Sequence, residues 1–279
     1  MSTSGFFTIT RPANAVVSGV TAIIAYLIAT GTIIPSTVFL LVIVTLITAA
    51  GNVINDYFDA DIDRINRPER PIPSGLVTPM VARYFAVTLF LAGILVALFT
   101  PLLCLSLEVI NSVILVLYAA RLKSLPVVGN VAVAYLAASI FLFGGAFAGW
   151  DALVLMIPLA AITFLATMVR VILKDAEDVE GDAAGGADTL PIRIGIRSTT
   201  RIALGFALLA AVASVFPYLW WGMWYLVGIA IVNLVIFVAA VRTLPCKTPA
   251  CVRATRSTTL IKAGMFAALV VFALSAIFL

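Results

Sequence analysis

Apolar residues run through this chain in long stretches, and polar or charged residues collect in short segments between them. A membrane-spanning helix needs about 20 mostly apolar residues. Pro, Gly and charged positions divide the chain into roughly nine runs of that length. The runs lie at 14–33, 36–57, 82–100, 102–120, 127–149, 152–174, 199–218, 222–243 and 258–279. Only Thr100 and Pro101 separate the third from the fourth, so one long kinked element is the alternative there. The pattern predicts an all-α, multi-pass transmembrane bundle of about nine helices around a central cavity. It forms one domain over residues 1–279, with cap loops after the second and sixth helices.

Composition closes off other classes. With 63% hydrophobic residues, 11% charged residues and a mean hydropathy of +1.18, the chain lies outside the range of a soluble domain. It contains no histidine, which removes imidazole as a general base, haem ligand or zinc ligand. Cys104, Cys246 and Cys251 have neither metal-ligand spacing nor a partner framework and read as structurally ordinary. Threading nine helices puts all seventeen Lys and Arg residues, from Arg11 to Lys262, on one side. The loops near Gly31, Thr100, Trp150 and Trp220 on the other side are short and nearly uncharged. The positive-inside rule makes the basic side cytoplasmic in a multi-pass protein of the cell membrane.

The acidic residues then stand out by position. Eleven of the thirteen fall in or just after two segments, Asn55–Asp63 and Asp175–Asp182, each at the end of an apolar run on the basic side. Carboxylates beside a bilayer are costly and mark function by default. Asn55, Asp59 and Asp63 are spaced i, i+4, i+8, so successive side chains turn by only about 40° and line one stripe. Asp175, Asp178 and Asp182 form a second stripe at i, i+3, i+7. Hard oxygen donors in this number suit Mg2+, which takes one or two carboxylates per ion together with phosphate oxygens of a substrate. A diphosphate of roughly −3 charge against bare carboxylates is repelled by several kcal/mol, and intervening cations invert that sign.

Arg64, Arg67, Arg70, Arg121, Lys123 and Lys174 are positioned to supply further counter-charge. Pro68, Pro71 and Pro73 alternate with the first three and stiffen that loop. Asp56 and Asp61 point off the stripe, toward basic neighbours or water. Glu108, inside a span, and Asp151, in an outer loop, receive no catalytic role.

These two stripes resemble the Asp-rich motifs of the UbiA superfamily of intramembrane prenyltransferases. The motifs stand here as Asn55-Asp56-x-x-Asp59-x-x-x-Asp63 and Asp175-x-x-Asp178-x-x-x-Asp182. The continuation from Ile62 through Arg64, Arg67 and Arg70 to Gly75 is similar to archaeal digeranylgeranylglyceryl phosphate synthases and, in related form, to chlorophyll synthases. Lys174–Asp182 followed by Thr189-Leu190-Pro191-Ile192, and Val131–Leu136 leading to Phe143-Gly144-Gly145, favour the archaeal branch. The resemblance implies transfer of a geranylgeranyl group from its diphosphate to the free hydroxyl of geranylgeranylglyceryl phosphate. Mg2+ assists ionisation of the allylic C–O bond.

The same resemblance implies that Tyr118 stabilises the allylic cation through its ring face, with an interfacial aromatic as the plain alternative. Arg11 and Asn14, or Arg64 and Arg67, are the groups it offers to the acceptor phosphate. The expected partners are isoprenoid diphosphate, lipid phosphate and the bilayer, with no nucleic acid among them. An aromatic or chlorin acceptor on the same fold is the nearest alternative. A divalent cation transporter is the alternative from another class, although transport sites usually lie near the bilayer midplane.

Overall fold

Helix-forming sequence continues past the apolar runs at several points, and there the chain departs most from its hydropathy pattern. A computed structural model describes residues 3–278. Leu279 of the last predicted span and the side chains of Ile65 and Asn66 in the arginine-rich continuation lie outside the described residues. Among the described residues, nine helices are long and apolar enough to cross a membrane. The chain folds as two units, residues 1–122 with 139–155, and residues 123–138 with 156–279.

In the first unit, a short α1 (Thr3–Ile9) precedes the spans α2 (Pro12–Thr30) and α3 (Val38–Phe58). α4 (Ala60–Asn66) continues directly from α3, and α5 (Pro79–Ala97) and α6 (Leu102–Ala120) follow. α2 stops at Gly31, whose left-handed backbone (φ 70°) lets its N–H reach Leu27 O at 2.8 Å. The Thr100-Pro101 break does separate two helices, as Pro101 stands just before α6. Small residues bring the spans together. A Cβ on Gly19 of α2 would lie 2.6 Å from Leu41 O of α3, so only glycine permits that approach. The core of this unit is aliphatic, with Leu40, Ile43, Ala50 and Val53 of α3 fully buried at its centre.

Two helices are divided between the units: α7 (Val128–Ala148) begins in the second and ends in the first, and α8 (Trp150–Ala184) begins in the first and ends in the second. α8 runs ten residues beyond the predicted end of its span. Ala176, Glu177 and Glu180 are good helix formers, so the helix outlasts the apolar run. It ends at Gly185-Gly186, where Gly186 takes a left-handed φ of 71°. At 35 residues α8 is about 52 Å long against a hydrocarbon core of about 30 Å, so it projects well past the apolar layer.

The second unit continues with α9 (Leu190–Ile194), α10 (Ile196–Ala213), α11 (Tyr218–Val241), α12 (Pro249–Ala254) and α13 (Ser257–Phe278). Tyr225, fully buried in α11, donates to Ser214 O at 2.7 Å, and Asn233 donates to Ser214 Oγ at 2.7 Å. These polar groups, lacking water, are therefore satisfied inside the bundle. Cys246 and Cys251 form a disulfide, which corrects their reading as unpartnered residues. Spacing alone hid the pair, because five residues of sequence close into a bridge only when the turn before α12 folds back. Cys246 packs with Val252 of α12 against Ala176 of α8.

Candidate active site

The first acid stripe crosses a junction between helices and keeps its phase. α3 closes at Asp59, whose φ of −87° and ψ of −1° stay close to helical. Asp59 N–H donates to Asn55 O at 2.9 Å, and Asp63 N–H donates to Asp59 O at 2.8 Å. The i→i−4 ladder thus carries through, and Asn55, Asp59 and Asp63 share one face as the spacing predicts. Asn55 Nδ2 donates to Asp59 Oδ2 at 2.8 Å.

Asp63 is buried at 5% exposure, and Arg70 Nη1 lies 2.5 Å from its Oδ2. Arg70 also reaches Asp56 Oδ1 at 3.3 Å, and Arg11 meets the same oxygen at 2.5 Å. Asp56 is 3% exposed, so of the two surroundings expected for it, basic neighbours or water, it has the basic neighbours. A buried carboxylate needs paired charge, and two guanidinium groups provide it. The i, i+7 relation of Asp56 to Asp63 puts both on one side of the α3–α4 rod, although spacing gives no sign of the two arginines that meet them there.

The proline-rich segment after α4 is ordered. Arg70 N–H donates to Arg67 O at 3.0 Å, Ser74 N–H to Arg70 O at 2.9 Å, and Val77 N–H to Pro71 O at 3.0 Å. Ile72 and Val77 bury their side chains in the core of the first unit, fixing the loop from below. Arg67 is exposed, and Arg64 is exposed and paired only with the exposed Asp61 at 3.0 Å. Asn14 is exposed in the first turn of α2, and Tyr118 is half-buried near the end of α6, one turn before the exposed Arg121. Asn52, absent from the sequence-based set, donates to Thr10 O at 2.9 Å and pins the α1–α2 corner to α3.

The second stripe sits in the second unit, on the projecting end of α8, where the helix is continuous through Asp175, Asp178 and Asp182. All three are half-buried. Lys174 Nζ lies 2.9 Å from Asp178 Oδ1 and 3.2 Å from Glu177 Oε2. Glu177 in turn accepts from Thr258 Oγ1 of α13 at 2.8 Å. Asn130 of α7 donates to Asp175 Oδ2 at 2.8 Å. Lys123 is half-buried in the short turn Leu122–Ser124.

Arg170, one helical turn before Lys174, has a buried Nε without a partner among the described residues, and the sequence reading passed over it. Beyond the stripe, Arg193 hydrogen-bonds Asp188 through Nε at 2.9 Å and holds that carboxyl below its ordinary range.

Arg11, Arg70 and Lys174, expected to meet substrate, therefore rest in ion pairs with the chain's own acids, and Arg70 and Lys174 each neutralise a predicted metal ligand. Among the described residues, no three acidic or thiol side chains converge on one point as they stand. The donor set nonetheless fits a hard divalent ion. Every proposed donor is a carboxylate or amide oxygen, no soft ligand accompanies them, and a cation already rests on Asp63 and on Asp178.

The model of the UbiA prenyltransferase family matches residues 18–270. The digeranylgeranylglyceryl phosphate synthase of Methanoregula boonei is 62% identical over 279 residues, covering all of both chains. A solved structure of digeranylgeranylglyceryl phosphate synthase aligns at a TM-score of 0.84 with 34% identity, covering 99% of each chain. A UbiA homologue from Archaeoglobus fulgidus, bound to GPP and Mg2+, shares the fold at a TM-score of 0.68. It has 16% identity and covers 95% of this chain and 99% of its own.

Proposed function

The chain belongs to the UbiA prenyltransferase family, and from that premise we propose that it transfers a geranylgeranyl group from geranylgeranyl diphosphate to the free hydroxyl of geranylgeranylglyceryl phosphate. The product carries the second ether bond of archaeal membrane lipids. The full-length 62% identity to the Methanoregula boonei synthase carries this reading. Residues 1–279 act as one prenyltransferase domain built from both units. Asn55, Asp59 and Asp63 with Asp175, Asp178 and Asp182 are assigned as the donors to Mg2+. The Mg2+-bound A. fulgidus homologue and the all-oxygen donor set support that assignment. Bound Mg2+ supplies the positive charge that lets the allylic diphosphate leave as an anion.

The chain's own residues do the rest. Arg64, Arg67, Arg121 and Lys123 offer charge to phosphate oxygens. Arg70 and Lys174 contribute by exchanging their carboxylate partners for phosphate as the acids turn to the metal. Arg11 and Asn14 are assigned to the acceptor phosphate, although Arg11 must then share its guanidinium with Asp56. Tyr118 presents its ring to the developing cation. The loops after the second and sixth spans cap the site and keep water from the cation. The positive-inside distribution of Lys and Arg assigns the site to the cytoplasmic face.

Purified protein in nanodiscs, given Mg2+, geranylgeranyl diphosphate and either geranylgeranylglyceryl phosphate or an aromatic or chlorin acceptor, tests the proposal. Ether product from the glyceryl phosphate alone is the expected result. A prenylated ring without any ether product would replace the lipid acceptor by a ring on the same fold.

A further inference from the structure

Asn130 lies in the first turn of α7 and is 7% exposed. Its Nδ2 donates to Asp175 Oδ2 at 2.8 Å. An ionised carboxylate only accepts, so this contact also fixes which way the amide faces. The entry into α7 is sharply defined: Val127, a β-branched residue, adopts a left-handed φ of 65°, and Val131 N–H returns to Val127 O at 2.8 Å. The amide thus projects from an ordered helix start rather than from a mobile loop. One oxygen of Asp175 is occupied by a neutral donor that leaves its charge in place. The second oxygen, Oδ1, is left to ligate.

Asp175 differs here from Asp178 and Asp59. Lys174 neutralises Asp178, and the amide of Asn55 on Asp59 comes from the same stripe. We propose that Asn130 is a positioning residue for the reaction: through its hydrogen bond to Oδ2 it holds the Asp175 carboxylate in the rotamer that presents Oδ1 to Mg2+. The inference rests on the assignment of Asp175 as a metal donor. Outer partners of ligating carboxylates typically set metal affinity by 10–100-fold, and a buried neutral amide is the kind of group that does so without competing for the ion.

The test uses full-length protein in nanodiscs, with Mn2+ and inorganic diphosphate as the probe and bound Mn2+ read by electron paramagnetic resonance. Asn130→Leu keeps the branched skeleton of the side chain and removes the donor. It is expected to weaken Mn2+ binding about 10-fold or more and to raise the half-saturating Mg2+ concentration in parallel. Turnover at saturating Mg2+ is expected to stay within a few-fold of wild type, a split that a purely packing role does not produce. Asp175→Asn is measured beside it.

Weakened binding in both variants supports the proposal. Wild-type affinity in Asn130→Leu with weakened affinity in Asp175→Asn overturns Asn130 while leaving Asp175 a ligand. Unchanged affinity in both removes Asp175 from the donor set and the inference with it. Weakening in Asn130→Leu alone shows that Asn130 acts elsewhere and also overturns it. If the leucine variant does not fold, Asn130→Ala carries the same comparison.

Discussion

Arg70 touches both buried acids at the α3–α4 junction of the first unit, Asp56 and Asp63, and is itself only 16% exposed along its side chain. Removing one member of a buried ion-paired group leaves charge without a partner, at a typical cost of about 3 kcal/mol. Arg70→Met is therefore expected to lower thermal stability by that order, measured as a melting shift in detergent. An Arg70→Met, Asp63→Asn double variant should recover part of it. Asp59→Ala and Asp178→Ala test a different property. Both residues are half-buried at helix ends rather than in the core, so each variant should stay folded and inserted while losing turnover at least 100-fold. Retained activity in either would remove the two-stripe assignment. The stripes were legible in sequence because helical periodicity links residues three and four apart. The Arg11–Asp56–Arg70–Asp63 network was not, since it joins a left-handed residue before α2 to a loop after α4, and chain spacing carries no trace of that closure.

Elements obey the hydropathy pattern where burial in lipid decides their limits and leave it where propensity decides. Eight of the nine predicted runs end within a few residues of their helices, whereas α8 extends from the predicted 174 to Ala184. Past Lys174 the chain is polar but rich in helix formers, and nothing stops the helix before the Gly185-Gly186 pair. That extension makes Asp175, Asp178 and Asp182 a rigid stripe rather than a frayed end. The turn before α12 and α12 itself pack against this same stretch: Cys246 and Val252 cover Ala176, and Arg253 pairs with Glu180 at 2.9 Å. The disulfide closing this short loop stabilises by about 2 kcal/mol on the chain-entropy estimate. Cys246→Ser is expected to reduce stability by that order. Hydrogen exchange in α12 should rise with it, and unchanged protection there would show that packing on Ala176 suffices without the bridge.

At the scale of the whole molecule, the proposed orientation rests on charge alone. Nine spans put an odd number of crossings between the two termini, and with this count every Lys and Arg lies on the side of Arg11. Eight or ten spans would distribute the same residues over both faces. Translocating arginine-rich loops is opposed during insertion, which is the ground for proposing that the basic side is cytoplasmic. Two exposed positions discriminate the faces, Ser74 in the loop after α4 and Trp150 at the start of α8. In a background with the native cysteines replaced, Ser74→Cys and Trp150→Cys are each treated with a membrane-impermeant maleimide in sealed right-side-out vesicles. Trp150→Cys should label at once, and Ser74→Cys only after the vesicles are opened. The reverse pattern would place both acid stripes outside the cell, away from a cytoplasmic supply of diphosphate, and the assigned orientation would fall even if the chemistry stood. Labelling of both in sealed vesicles would instead break the nine-span count, because the two positions are separated by three crossings, at α5, α6 and α7, and must lie on opposite faces if each is a full span.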